Sequence, residues 1–339
     1  MSEGCRRLTV LRLISTKVEV EDSILVEVED ERVDEMRAAA FAEPGGPEVL
    51  RLMEVDRPRV GAGQIRVRVK AAGVQPFDCA VRAGWTPPGA PAGSPKIPGN
   101  EFAGVVDQVG EGVTGVAVGA EVLGFGLLGG YAEYVVAPAE HVTAKPADMP
   151  WEVAGGFSAG AQTAHIALQE LRVGKDDTVV VHGAAGAVGT VAVQLAVEWG
   201  ATVIGTAREV NHDYLRSLGT VPVAYGDGLL DRVRAVAPDG VDAALDGAGA
   251  DALAVSLALV ADRDRILTLV EHGRAQELGI RRVAPNLRSA TRLAELADLY
   301  AQGKLRFHVR RTLPLERASD AHREVETGHG RGKVVLTIG

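Results

Sequence analysis

The chain has only two cysteines, Cys5 and Cys79, in 339 residues. That is too few for a disulfide framework or a four-thiolate structural zinc site, and such usage fits a reducing compartment. Aromatic residues make up 4% of the sequence, so stacking platforms for nucleobases would have to be built from very few rings. Positive charge is short as well. The formal net charge is −9 and no lysine/arginine run is interleaved with exposed aromatics, which argues against a nucleic-acid partner. Long apolar runs are missing too. The opening MSEGCRRLTVLRLIS has a short apolar stretch broken by Arg12, so neither a secretory signal nor a membrane span is read there, and a cytoplasmic location is expected. What is present is 46% hydrophobic and 24% charged sequence, enough for a substantial core divided over two domains of ordinary size.

The most informative stretch is Val179-Val180-Val181-His182-Gly183-Ala184-Ala185-Gly186-Ala187-Val188-Gly189. A β-branched strand runs into a Gly-x-x-Gly-x-x-Gly turn and then an apolar helix, TVAVQLAVEWG, followed by a second strand, ATVIGTA. This is the start of a dinucleotide-binding βαβ unit. Gly183 permits the tight turn, Gly186 lets backbone amides approach a pyrophosphate, and Gly189 lets the helix pack closely on the sheet. A βα turn with no ligand is the plainer alternative.

Residues 1–35 differ from the rest, being strongly acidic from Glu19 onward, with the alternating stretch KVEVEDSILVEVEDE. They read as a solvated acidic extension, or as an added strand pair covering a sheet edge. From Met36, short strands separated by Gly/Pro turns (MRAAAF, VLRLMEVD, QIRVRVKAAGV, EFAGVVDQVG, GAEVLGF, YAEYVVAP) predict a β-rich, partly closed barrel. WTPPGAPAGSPKIPG is a long loop, either a pocket wall or a plain connection. Beyond AGGFSAGAQTAHIALQEL the pattern switches to βα alternation, predicting a doubly wound, mainly parallel sheet. TRLAELADLYAQGKL is amphipathic, and RGKVVLTIG reads as a final strand that could return to the first domain.

With these residues in view, the chain resembles the medium-chain dehydrogenase/reductase superfamily, in the zinc-independent quinone-oxidoreductase branch that includes zeta-crystallin. The stretches that carry the resemblance are FAEPGGPEVL, VKAAGVQPFDCAVRAG, IPGNEFAGVV, GGYAEYVVAP, VHGAAGAVGTVAVQLA and AHREVETGHGRGKVVL. It implies an α/β chain made of a GroES-like β-barrel catalytic domain and a Rossmann doubly wound parallel-sheet domain. The expected division is 1–35 extension, 36–157 first part of the catalytic domain, 158–290 Rossmann domain, and 291–339 returning to the catalytic domain. A homodimer is implied as well. Zinc-dependent relatives place a cysteine and a His-Glu pair on their metal; here Gln75 and Asn100 stand at those places before Glu101, and no metal site is expected.

Cofactor choice can be read locally. An NAD-selective site usually presents Asp or Glu at the end of the second strand, whereas this one ends Gly205-Thr206-Ala207-Arg208. Arg208 can pair with a 2′-phosphate, which favours NADPH, although Glu209 could approach the ribose and Arg208 could be an ordinary solvated arginine. By resemblance, Asn211 and Tyr225 stand near the adenosine phosphate. The expected cofactor-binding set is Gly183, Ala185, Gly186, Ala187, Val188, Gly189, Thr206, Arg208, Asn211, Tyr225, Asp246, Leu269, Val270, Asn286 and Lys333.

For substrate contact, Gln75 can hold a carbonyl or ribose hydroxyl, and His272 can donate a proton near neutral pH, with a loop amide and a surface histidine as the plain alternatives. Phe77, Trp85, Phe125, Leu127 and Tyr131 are candidate pocket lining. Asp78 is expected to brace its loop. Ala80 departs from the zeta-crystallin pattern, which has a tyrosine there, and a methyl group donates no proton. The expected activity is NADPH-dependent reduction of a quinone or an activated alkene (enone or enoyl). A specialised biosynthetic enoyl reductase and a non-catalytic dinucleotide-binding regulatory or structural protein stay open as alternatives.

Overall fold

The computed structural model describes residues 35–283 and 287–339. In chain order the first elements are β1 (Glu35–Ala40), β2 (Arg51–Asp56), β3 (Gln64–Val74), α1 (Pro76–Arg82), β4 (Glu101–Val109), β5 (Glu121–Phe125), β6 (Tyr134–Pro138) and β7 (Val142–Ala144). A long helix, α2 (Trp151–Glu170), leads into β8 (Thr178–His182), α3 (Ala187–Glu198), β9 (Thr202–Ala207), α4 (His212–Ser217), β10 (Val221–Ala224), α5 (Leu229–Val236), β11 (Ala243–Asp246), α6 (Ala250–Leu259) and β12 (Ile266–Thr268). The chain closes with α7 (His272–Leu278), β13 (Arg281–Arg282), α8 (Ala290–Ala301), β14 (Val309–Pro314), α9 (Ala318–Glu326) and β15 (Lys333–Thr337).

β3 organises the GroES-like part. Its first half, Gln64–Arg68, pairs with β6, and its second half, Ala71–Val74, pairs with β15, while β4 runs along its other side. Register shifts between Arg66 and Val67 and between Val69 and Ala71 bend the strand, as bulges do, and let one strand serve three partners. The sheet order is β14-β15-β3-β4-β5-β7, so strands from both ends of the chain share one sheet. Ile65, Val67, Val69, Phe102, Val122 and Leu336 fill its interior.

The second sheet is parallel throughout, ordered β10-β9-β8-β11-β12-β13, with the sequence order reversing between β8 and β11. Val179, Val180 and Val181 of β8 are fully buried, as a strand covered on both faces requires. Ligands of such sheets bind outside the carboxyl ends of the strands at the reversal, which here is the turn that follows His182.

α2 joins the two parts through small residues. Side chains at Gly155 and Gly156 would strike Ala71 and the Lys333 stem, and one at Gly160 would press on the Ala187 carbonyl. The expected boundary at 157/158 therefore falls inside a continuous helix. In the segment from 291, Leu293, Leu296 and Ala297 of α8 pack in a cluster that draws on both parts, with Leu123 and Phe125 of β5 beside residues of α2 and α3. Return to the first sheet starts at β14.

Candidate active site

The glycine turn is built for close approach. Gly183 has φ +71°, and a Cβ on Gly189 would lie 2.7 Å from Ala184 Cα, so both positions demand glycine. Gly186 precedes α3, whose first turn has neither a side-chain cap nor an acidic residue. The orphan N–H groups there, with the positive end of the helix dipole, suit a pyrophosphate. Gly183, Gly186, Ala187 and Val188 are half-exposed, while Ala185 is buried and its carbonyl accepts from Gly332 N at 2.8 Å.

Arg208 leaves the end of β9 exposed, followed by a tight turn in which Asn211 N donates to the Arg208 carbonyl at 2.9 Å. Ala224 pairs with Ala207, so Tyr225, which is 48% exposed, leaves the neighbouring strand beside Arg208. Thr206 points inward, with its hydroxyl 3.1 Å from His182 Nδ1 and almost no exposed surface. Asp246 is fully buried. Its Oδ1 accepts from Ala248 N and Gly249 N at 3.0 and 2.7 Å, and its Oδ2 accepts from Thr268 Oγ1 at 2.8 Å. Thr206 and Asp246, both expected at the cofactor, thus lie buried and brace the strand ends from within. The Thr268 hydroxyl in turn accepts from Val270 N at 3.2 Å and Glu271 N at 3.0 Å, leaving Leu269 half-buried and Val270 exposed. Asn286 lies outside the described residues.

A polar cluster forms at the other end. Gln75, the residue before Pro76 at the start of α1, donates through Nε2 to Asn100 Oδ1 and accepts at Oε1 from Lys333 Nζ at 3.2 Å. Lys333 is also ion-paired to Glu101 Oε1 at 2.6 Å, the side chains being 3% and 0% exposed. Glu101 Oε2 accepts from Ala159 N at 2.6 Å. Lys333, expected to contact the cofactor, therefore lies buried between Gln75 and Glu101. The Arg288 guanidinium donates to Thr163 Oγ1 at 3.5 Å; burial lowers its pKa, and the charges of Glu101 and Asp78 push the other way.

Asp78 braces its loop. Its Oδ2 accepts from Gln75 N at 3.1 Å and from Tyr131 Oη at 3.0 Å, and its Oδ1 accepts from Gly99 N at 3.1 Å. Burial raises its pKa to about 7, against the nearby Lys333 charge. Tyr131, which makes this contact, is fully buried, and Phe125 is buried and stacks on His141 at 4.5 Å, so both expected lining residues are core residues. Half-buried Phe77 meets Trp85 edge-on at 5.3 Å, and Trp85 is 48% exposed. Leu127 is 37% exposed and approaches Gly89 of the proline/glycine loop. His272 opens α7 on the exposed surface, and no described hydrogen bond ties it to Gln75. Sequence reading missed the Glu101–Lys333 pair as part of the Gln75 site; the adjacent Asn100-Glu101 dipeptide was the signal available.

Residues 61–147 match the family described as alcohol dehydrogenase GroES-like domain, and residues 220–336 match zinc-binding dehydrogenase. The structure of the quinone oxidoreductase from Coxiella burnetii superposes with a TM-score of 0.80 at 30% identity, covering 90% of this chain and all of that one. The chain belongs to the medium-chain dehydrogenase/reductase superfamily, in its zinc-independent, quinone-oxidoreductase-like branch. Members of this superfamily are oxidoreductases that bind nicotinamide dinucleotides. The chain is also 35% identical over 321 residues to the pikromycin polyketide synthase component PikAII of Streptomyces venezuelae, and 34% identical over 216 residues to the human synaptic vesicle membrane protein VAT-1 homolog-like. These alignments take in 88% and 62% of this chain but only 8% and 51% of the two relatives.

The name of the second matched family raises zinc, and the donors of this superfamily member do not fit it. The Asn100 oxygen accepts from Gln75 Nε2, and an ammonium sits on Gln75 Oε1 where a second cation would be repelled. Cys79 is buried with its Sγ directed at the His322 carbonyl, 3.9 Å away, and burial pushes its thiol up to about 12. Among the described residues no group of three or more His, Cys, Asp or Glu could hold a metal, and no helix is long and apolar enough to cross a membrane. The glycine turn, in contrast, fits a dinucleotide pyrophosphate.

Proposed function

We propose that the protein is an NADPH-dependent, zinc-independent reductase acting on a quinone or on an alkene conjugated to a carbonyl. The observation that supports this most is the donor set at Gln75 and Asn100. It occupies the positions where zinc-dependent relatives hold their metal, and it offers N–H groups in place of a Lewis acid. When bound, the reduced nicotinamide supplies hydride. The Gln75 amide holds the acceptor's carbonyl oxygen and stabilises the negative charge that develops on it. Phe77, Trp85 and Leu127 supply an apolar wall that orients the acceptor.

The missing acid at Ala80 separates the two acceptors. Quinone reduction leaves charge on oxygen, which takes its proton from water, whereas an alkene must also be protonated at carbon, where Ala80 donates nothing. A quinone is therefore the leading substrate class. Similarity to a polyketide synthase component favours a second reading, a biosynthetic enoyl reductase whose substrate fills the space around Ala80 and Trp85.

Selectivity for NADPH rests on Arg208 and Tyr225 at adjacent strand ends, with no carboxylate on the last residues of β9. Arg331 adds positive charge next to Gly332; its guanidinium lies 4.7 Å from the centre of the Tyr214 ring on α4. Titration with NADPH and NADH, followed by reduced-nicotinamide fluorescence, tests this. NADPH should bind at least tenfold more tightly, worth about 1.4 kcal/mol. Equal dissociation constants would overturn the selectivity, and binding of neither would return the non-catalytic reading.

A further inference from the structure

Lys333 is an expensive residue to bury, and the fold makes specific room for it. A Cβ on Gly73 would lie 2.7 Å from both Glu101 Cδ and Lys333 Cε, and one on Gly156 would lie 2.9 Å from Lys333 Cγ. Two glycines, on β3 and α2, thus form a slot for the lysine stem. Sheet register aims it. Val334 pairs with Val74 in the antiparallel β15–β3 ladder, so the preceding residue of one strand stands opposite the following residue of the other, Lys333 opposite Gln75. Gly332 is anchored in turn, through its N–H on the Ala185 carbonyl and a bridge to Gly186.

The charges fix a direction of hydrogen bonding. Lys333 has only donors, so the atom it meets on Gln75 must be the oxygen. That leaves Nε2 to face Asn100, whose oxygen accepts and whose own Nδ2 is thereby left as a donor. Rotating the Gln75 amide by half a turn would set its NH₂ against an ammonium and its oxygen against the Asn100 oxygen. Both contacts are repulsive. Glu101 holds the lysine in place, and its second oxygen is tied to Ala159 N on α2.

We propose that Lys333 is a positioning residue: held by Glu101 in the Gly73/Gly156 slot, it sets the polarity of the Gln75 and Asn100 amides so that an acceptor's carbonyl oxygen meets N–H donors. This rests on the reading of the site as a carbonyl-acceptor reductase. Gln75 Nε2 carries two hydrogens, and Asn100 uses one, leaving the other for the acceptor. The ammonium on Oε1 also polarises the amide and strengthens that donor. The lysine acts through Gln75 and touches neither substrate nor cofactor phosphate.

The test compares wild type, K333R, K333M and the K333M/E101Q pair, which avoids leaving Glu101 as a bare buried charge. The Gln75 side-chain amide is assigned in ¹H–¹⁵N spectra as the resonance lost in Q75E. It should shift in K333M and in K333M/E101Q and return toward its wild-type position in K333R; an unmoved resonance in folded K333M/E101Q would overturn the proposal. NADPH affinity of K333M/E101Q should stay within twofold of wild type, and a tenfold loss would mean that Lys333 contacts the cofactor instead. With 1,4-naphthoquinone as acceptor, K333M/E101Q should lower kcat/KM at least tenfold in the wild-type background and hardly at all in Q75A. Equal losses in both backgrounds would show that Lys333 does not act through Gln75. Should wild type turn over no quinone or enone, the functional reading fails, while the spectra still decide the polarity of the amide.

Discussion

Two glycines three residues apart in the same turn should respond to alanine in opposite ways. A Cβ on Gly189 would sit 2.7 Å from Ala184 Cα and 2.9 Å from Ala184 C, and both are backbone atoms. Carbon atoms in contact prefer about 3.5–4.0 Å, so α3 must retreat from the turn by close to 1 Å. Overpacking of that kind costs about 1–3 kcal/mol, and G189A should lower the melting temperature by several degrees. Gly186, with φ −74° and ψ 177°, has backbone angles open to any residue, and its Cβ would meet only the Gly183 carbonyl oxygen, at 3.2 Å. G186A should therefore melt within about 1 °C of wild type, since an alanine in an unstrained conformation costs the fold little. With the pyrophosphate placed as proposed above the helix N-terminus, the methyl of the G186A variant would take up part of that space. NADPH should bind it at least tenfold more weakly, about 1.4 kcal/mol. Scanning fluorimetry gives the first number and cofactor fluorescence the second. A G186A variant that binds NADPH like wild type would refute the placement of the pyrophosphate, and a G189A variant of wild-type stability would refute the packing role.

Replacing Arg208 by glutamate should weaken NADPH binding at least tenfold and leave NADH within about threefold, because only the former carries a 2′-phosphate; parallel losses for both would place Arg208 elsewhere on the cofactor. Stability should also fall in mild acid. Burial lowers the pKa of His182 to about 4 and that of His322 to about 3, the latter helped by Arg82, so both stay neutral when folded and charge only on unfolding. Their contribution is intact above the unfolded value of about 6.5 and is lost as pH drops below it. Asp78, raised to about 7, works in the opposite sense, adding stability as pH falls below 7. These two histidines outnumber the one raised carboxyl, and burial lowers His141, His165 and His308 as well, so stability should fall between pH 6.5 and 4, measurable by urea unfolding. H322L should make that slope shallower, and a wild-type protein that gains stability over the same range would contradict the assignment.

Much of the architecture was legible because its signals are local. The strand–turn–helix around Gly183, Gly186 and Gly189 sits within a dozen residues, and each βα unit after it repeats the same short-range pattern. Facing direction was harder to read. Thr206 and Asp246 occupy the strand ends where ligands bind, yet their side chains turn inward to His182 and Thr268, a choice made by neighbouring strands and not by the local sequence. Phe125 and Tyr131 sit near the loop expected to line a pocket, but His141 and Asp78 draw them into the core. The contact between Gln75 and Lys333 spans 258 positions and depends on β3 and β15 being neighbours in register, which no local pattern encodes. The acidic stretch within residues 1–34 lies outside the described residues.

The central claim, reduction of a quinone or conjugated alkene without a metal, is tested most directly by following NADPH oxidation after exhaustive dialysis against a chelator. The acceptors would be 1,4-naphthoquinone and an acyclic enone. Undiminished turnover of at least the quinone is the result expected from a site whose donors are amides and in which the cation bonded to Gln75 is the Lys333 ammonium. Turnover lost with the metal and restored by added zinc would contradict it, as would the absence of turnover with either acceptor before dialysis.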